Sequence, residues 1–240
     1  MSGTTRFIAV RVLTTIPTLV AVITLIFFVV RLAPGDPVVA ALGEDASPRV
    51  VAELRHDLGL DRPLPVQYVR YLAGLARGEF GQSLVGRRPV LLQITAVFPY
   101  TLELTLAAVL LGVVLGVPAG VACALWRNSW IDYVGRAVSL TGLSVPAFFS
   151  AILLILIFAL GTHWFPVITE LDLSHPLDRL RNLVLPALSL GMLMTAYVSR
   201  ATRSAMLEVL NEEYIVTARA KGVPQHAIVF RHALRNALIP

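Results

Sequence analysis

The chain has 240 residues, of which 56% are hydrophobic and 15% charged, against about 25% charged in an ordinary soluble domain. That balance excludes a soluble globular domain, and a lone cysteine, Cys123 inside an apolar run, excludes a disulfide framework or a thiol pair for metal or redox work. The net charge of +5 comes from nineteen arginines and one lysine; in a membrane protein such an excess more often sets topology than binds nucleic acid, and nothing here resembles a nucleic-acid module.

The apolar runs are continuous rather than alternating, so they read as helices, the form in which a single segment can satisfy its own backbone in lipid. A hydrocarbon core of about 30 Å needs roughly 20 apolar residues, and four segments meet the requirement: residues 12–30, 104–125, 138–160 and 183–198. The first follows Arg6 and Arg11 and lacks a signal-peptide cleavage site, so it is read as a retained span that stops at Ala33-Pro34-Gly35-Asp36-Pro37. The short connections put Arg6, Arg11, Arg127, Arg136 and the basic residues after the fourth span on one side, taken as cytoplasmic. The connection between the third and fourth spans, with Glu170, Asp172 and Asp178 against Arg179 and Arg181, then lies outside.

Within these limits the spans carry no Asp, Glu, Lys or Arg; Glu103, just before the second, reads as an interfacial carboxylate or as part of a substrate path. That weakens an ion-coupled carrier, which needs ionisable groups near the bilayer middle. Gly112, Gly116 and Gly120 recur every four residues, placing them on one stripe where another backbone can come close. The stripe serves either ordinary helix packing or, with Pro118 removing a backbone hydrogen bond, a gate helix that slides or bends.

More than sixty residues separate the first two spans, and they carry a helical pattern of their own. Ser47 is a plausible N-cap with Pro48 at the first helical position, and Val50, Val51, Leu54 and Leu58 form an apolar face that stops at Gly59. A second stripe, Tyr68, Leu72 and Leu75, ends at Gly78. The segment reads as a cap over the outer mouth or as a landing surface for a substrate-delivery protein.

Pro34-Gly35-Asp36-Pro37, Leu58-Gly59-Leu60-Asp61, Pro63, Gln67-Tyr68 and Gly78-Glu79-Phe80-Gly81 follow one another in order over about fifty residues. This series resembles the amino-terminal region of permease subunits of ATP-binding-cassette importers for dipeptides, oligopeptides and nickel. Residues 211–240 form a basic, small-residue segment, and a helix can run into it over 206–220 before Gly222 and Pro224 break it. A second helix offers Ile228, Phe230, Leu234 and Leu238 for burial. On composition alone such a hairpin can lie on an anionic lipid surface or accept a soluble partner. Thr217-Ala218-Arg219-Ala220-Lys221-Gly222 and His232-Ala233-Leu234-Arg235-Asn236-Ala237 resemble the cytoplasmic motif of the same importer branch. Set on Gly222, the first three slots of the general motif fall on Val216, Thr217 and Ala218, of which only Ala218 is kept, and the closing Leu is replaced by Ile239 before Pro240.

The resemblance implies an all-α polytopic membrane protein of the bacterial or archaeal cytoplasmic membrane with its amino terminus in the cytoplasm. It divides the chain into residues 1–33 with span one, 34–101 as a helical extracytoplasmic segment, 102–210 with spans two to four, and 211–240 as a cytoplasmic coupling loop. Family members have six spans, so the resemblance expects two more after the loop. It implies that Ala218, Ala220 and Gly222 approach an ATPase subunit closely, with Glu213, Arg219 and Lys221 as charged neighbours. A P-loop requires Gly-Lys-Ser/Thr, and the only lysine is Lys221 in Ala-Lys-Gly. The chain is therefore expected to be no enzyme and to hold no cofactor. ATP and Mg are assigned to two partner ATPase subunits, alongside a second permease and an extracytoplasmic binding protein in the lipid bilayer. The substrate expectation is di- or oligopeptides, with nickel or glutathione as alternatives; a non-transporting anchor that recruits a cytoplasmic protein is the reading from another class.

Overall fold

The computed structural model describes residues 3–32, 35, 37–43, 46–83, 88–167 and 176–238. Ala33, Pro34, Asp36, Glu170, Asp172, Ile239 and Pro240, used above, lie outside the described residues. The protein is an all-α polytopic membrane protein: among the described residues three helices are long and apolar enough to cross a bilayer, and a bent pair makes a fourth when the two are taken as one span. Among the described residues the non-helical pairing is an isolated antiparallel bridge between Gln82 and Pro89.

The chain separates into two compact units, residues 1–98 and 99–240. In the first, α1 (Gly3–Leu32) is followed by α2 (Pro37–Leu42), α3 (Pro48–Asp57) and α4 (Leu64–Ala76). α2 was not anticipated; Pro37 stands at its first position, where a missing N–H costs nothing. α3 begins as the sequence predicts, with the Ser47 hydroxyl accepting from the Val50 N–H at 3.4 Å. It closes on a Schellman turn in which Gly59, at φ +65, donates to the His56 carbonyl and Leu60 donates to that of Arg55. α4 buries the expected side: Tyr68, Leu72 and Leu75 are half-buried, and Phe27 of α1 is 1% exposed. Phe27 stacks edge-on against Tyr68 at 5.2 Å, the Thr24 and Tyr68 hydroxyls share a 2.6 Å hydrogen bond, and Arg31 lies 3.9 Å above the Phe27 ring while donating to Gln67 Oε1 at 2.8 Å.

The second unit takes most of α5 (Val90–Leu125), then α6 (Trp130–Ser144), α7 (Ala147–Leu154) with its π-helical continuation Ile155–Gly161, and α8 (Pro176–Leu210). Three boundaries differ from the sequence reading. α5 starts at Val90 rather than near residue 104, because a helix is limited by capping and breakers rather than by where apolarity begins; Glu103 is thus inside it. The third span is two helices meeting at 97°, because Val145 is extended ahead of Pro146, as residues before proline are. α8 begins at Pro176, so Arg179 and Arg181 lie on a helix rather than in a connection.

α8 packs on α6 and α7 through small side chains. Leu185, Ser189, Ala196, Ser199, Thr202 and Met206 are buried at helical spacing. The glycine stripe of α5 faces this helix: a Cβ at Gly112 would sit 2.7 Å from the Met194 Cβ, at Gly116 2.9 Å from the Thr195 carbonyl oxygen, and at Gly120 2.6 Å from that of Ser199. The two backbones touch where lipid provides no hydrophobic force to press helices together and close van der Waals packing must do so.

Candidate functional site

Beyond α8, residues 211–238 fold as a compact hairpin. Sequence periodicity predicts a single helix over 206–220; instead α8 ends at Leu210, Asn211 and Glu212 turn, and α9 (Glu213–Ala220) starts afresh. α10 (Gln225–Ala227), a π-helical stretch Ile228–Ala233 and α11 (Leu234–Ala237) return the chain. Ile215, Ile228, Val229, Ala233 and Ala237 are buried with Met206 of α8 and Val121 and Ala124 of α5. The apolar face that could have entered lipid is thus occupied by the protein itself. Two residues expected inside, Phe230 and Leu238, are 66% and 55% exposed. The wider π turn shifts the helical phase, so Val229, Ala233 and Ala237 take the inner positions.

The hairpin tip is a second Schellman turn. Gly222 at φ +78 donates to the Arg219 carbonyl and Val223 donates to that of Ala218, which satisfies the end of α9. The left-handed conformation is what requires glycine here. Glu213, Arg219, Ala220, Lys221 and Gly222 are exposed, whereas Ala218 is half-buried. A small, uncrowded ledge flanked by two cations therefore projects from a buried base. Asn236 Nδ2 donates to the Tyr214 hydroxyl at 2.7 Å, fastening α11 to α9.

Of the other predicted residues, Gly112, Gly116 and Gly120 meet α8 as described, and Pro118 stays within α5, leaving the Val114 carbonyl without its helical donor. Glu103, predicted at an interface, accepts from Arg179 Nε at 2.8 Å and Nη2 at 2.5 Å, a pairing between two spans.

One constellation escaped the sequence reading. Asp132, 0% exposed, receives Arg203 through two bonds, Nε to Oδ1 at 2.6 Å and Nη2 to Oδ2 at 2.8 Å. Oδ2 also accepts the Asn128 N–H at 3.0 Å, and Arg136 stands 3.6 Å from Oδ1. Sequence reasoning put Asp132 in a loop because the third span was begun at residue 138. The missed signal was Ser129-Trp130-Ile131-Asp132, whose spacing marks a helix start with a carboxylate at the third position.

Beside this pair, α5, α6, α7 and α8 line an open cleft of about 580 Å³ whose wall includes Ser139, Thr141, Ser150, Ser189, Thr195 and Ser199. The wall is mainly apolar, with hydroxyls spaced along it.

A bent third span, a glycine-lined helix contact and a folded hairpin after the fourth span define a multi-span helical membrane protein. The profile of binding-protein-dependent transport system inner membrane components matches residues 112–240, and that of the amino-terminal part of such membrane components matches residues 4–105. The chain belongs to this family, the permease subunits of ATP-binding-cassette importers. It is 44% identical over 256 residues to the di/tripeptide transport system permease protein DppB of Pseudomonas aeruginosa, covering 98% of this chain and 76% of that one. It is 42% identical over 235 residues to the glutathione transport system permease protein GsiC of Salmonella paratyphi A, covering 98% and 74%, and 39% identical over 235 residues to GsiC of Escherichia coli, with the same coverage.

Proposed function

We propose that this permease forms part of a translocation path for short peptides, di- and oligopeptides or glutathione, and that separate ATPase subunits drive it by gripping residues 211–240. The observation that carries the reading is the exposed ledge Arg219-Ala220-Lys221-Gly222 held on a buried base of Ile215 and Met206. A soluble partner can approach small side chains closely, and a push on the ledge meets packed apolar contacts rather than a flexible loop. The base joins the ends of α5 and α8, so a displacement reaches the spanning helices through a short, stiff route. The glycine contact of α5 with α8 supplies a surface along which one helix can slide or rock against the other.

In this reading the amino terminus and residues 211–240 are cytoplasmic, residues 34–101 face the outside, and ATP with Mg binds the ATPase subunits. A second permease completes the path, and an extracytoplasmic protein delivers substrate. The names of the relatives, di/tripeptide and glutathione permeases, support the substrate class.

The test is uptake of a labelled dipeptide and of labelled glutathione into membranes carrying the whole importer. Gly222→Trp and deletion of residues 218–222 are expected to abolish uptake and ATPase co-purification, while Gly222→Asn, which tolerates the left-handed turn, retains much of both. Intact uptake and intact ATPase binding in the deletion would refute the docking assignment. Uptake of nickel without peptide would replace the substrate.

A further inference from the structure

We propose that Asp132 and Arg203 form the tie that passes movement of the cytoplasmic hairpin from α8 to α6, and so to the bent third span. The inference rests on the reading that an ATPase acts on residues 211–240.

The geometry supports a transmitting role in three ways. First, Arg203 lies one helical turn before Met206, whose fully buried side chain belongs to the base of the hairpin. α8 continues unbroken to Leu210, three residues before α9. Second, Asp132 sits in the first turn of α6 and fixes the entry to that helix, because the same carboxylate caps the Asn128 N–H where the chain turns at φ +62. Moving Arg203 therefore moves both the helix start and the turn that precedes it. Third, small groups line the α6–α8 contact beyond the pair: a Cβ at Gly142 would lie 3.0 Å from that of Ala196, and Ser139 and Ser199 are buried nearby. Such a surface lets helices approach but gives little resistance to sliding. A two-point guanidinium–carboxylate bond is directional and sets the register.

Burying a carboxylate at this depth is costly unless it is paired and hydrogen-bonded, and apolar residues often serve stability as well. The pair is thus better explained by a need for fixed geometry than by stability.

The test uses the complete importer, reconstituted in lipid vesicles with its ATPase subunits and binding protein, and reads labelled dipeptide transported per ATP hydrolysed. The double variant D132L/R203M replaces the pair by apolar side chains and leaves no buried charge behind, since Arg136 stays exposed to solvent. It is expected to assemble with the ATPase and hydrolyse ATP, yet to move about tenfold less peptide per ATP. A ratio equal to that of the unmodified protein overturns the proposal, including the case in which both rates fall together, as a merely structural role requires. Should the double variant not accumulate, Arg203→Lys decides: it keeps the charge and loses the two-point bond, so a lowered ratio supports the tie and an unchanged ratio overturns it. Failure of the underlying reading looks different, since it appears in the unmodified protein as uptake with no ATPase bound, and that result overturns the tie as well.

Discussion

Arg31 and Arg203 both stand toward the carboxyl ends of long apolar helices, and each binds an element of its own unit, but they do so with opposite chemistry. Arg31 rests on the Phe27 ring and donates to the neutral Gln67 amide, half-exposed. Arg203 meets the fully buried carboxylate of Asp132 at two points. Loss of Arg31 removes contacts and leaves nothing charged behind, whereas loss of Arg203 strands an anion. The first unit is therefore held by adaptable, locally replaceable packing, and the second by a polar lock and backbone contact that admit little change.

The contrast is broken most directly at its largest expected effect. Arg203→Ala takes the two-point partner from buried Asp132 and leaves it the Asn128 N–H and the more distant Arg136; the expected cost is about 3 kcal/mol in thermal unfolding of the detergent-solubilised complex. Next comes Gly120→Ala, which sets a Cβ against the Ser199 carbonyl and the Thr202 side chain; overpacking of this kind costs about 1–3 kcal/mol, and uptake is expected to fall with it. Arg31→Met is expected to cost about 1 kcal/mol, the scale of a cation–π contact, without loss of ATPase binding. If Arg31→Met proves as damaging as Arg203→Ala, the contrast fails.

At the small end is the exposed pair in the first unit, where His56 Nδ1 lies 2.9 Å from Asp61 Oδ2 and this hydrogen bond holds the Asp61 carboxyl below its ordinary range. A depressed carboxylate contributes stability above its unfolded pKa and loses it as pH falls through the folded one. His56→Ala is therefore expected to return the Asp61 titration, followed by NMR, to the ordinary carboxylate range, with no change in uptake near neutrality.

Much of this was legible in the residues. Apolar run length gave the spans, Ser47-Pro48 and Gly59 gave the limits of a short helix, and the four-residue glycine spacing marked the face of α5 that another backbone approaches, though not that α8 is the partner. The hairpin ledge was legible because Gly222 and Pro224 are strong local breakers. What was not legible depended on partners distant in sequence. Asp132 and Arg203 are 71 residues apart, and each alone looks like a charge beside a membrane. The exposure of Phe230 arises from a π turn, which shifts phase without any glycine or proline to announce it. The bend at Pro146 was visible as a residue, but its 97° angle depends on how α6 and α7 pack on α8.

The central claim is that the ATPase meets the protein at the ledge of the 211–240 hairpin. It is tested most directly by photo-crosslinking from a cysteine at Lys221 in membranes carrying the whole importer, with a cysteine at Val66 of α4 as the comparison site. The account predicts an adduct with the ATPase subunit from Lys221→Cys and none from Val66→Cys. An importer that takes up peptide normally while giving no ATPase adduct from Lys221→Cys, or giving it from Val66→Cys, would contradict it.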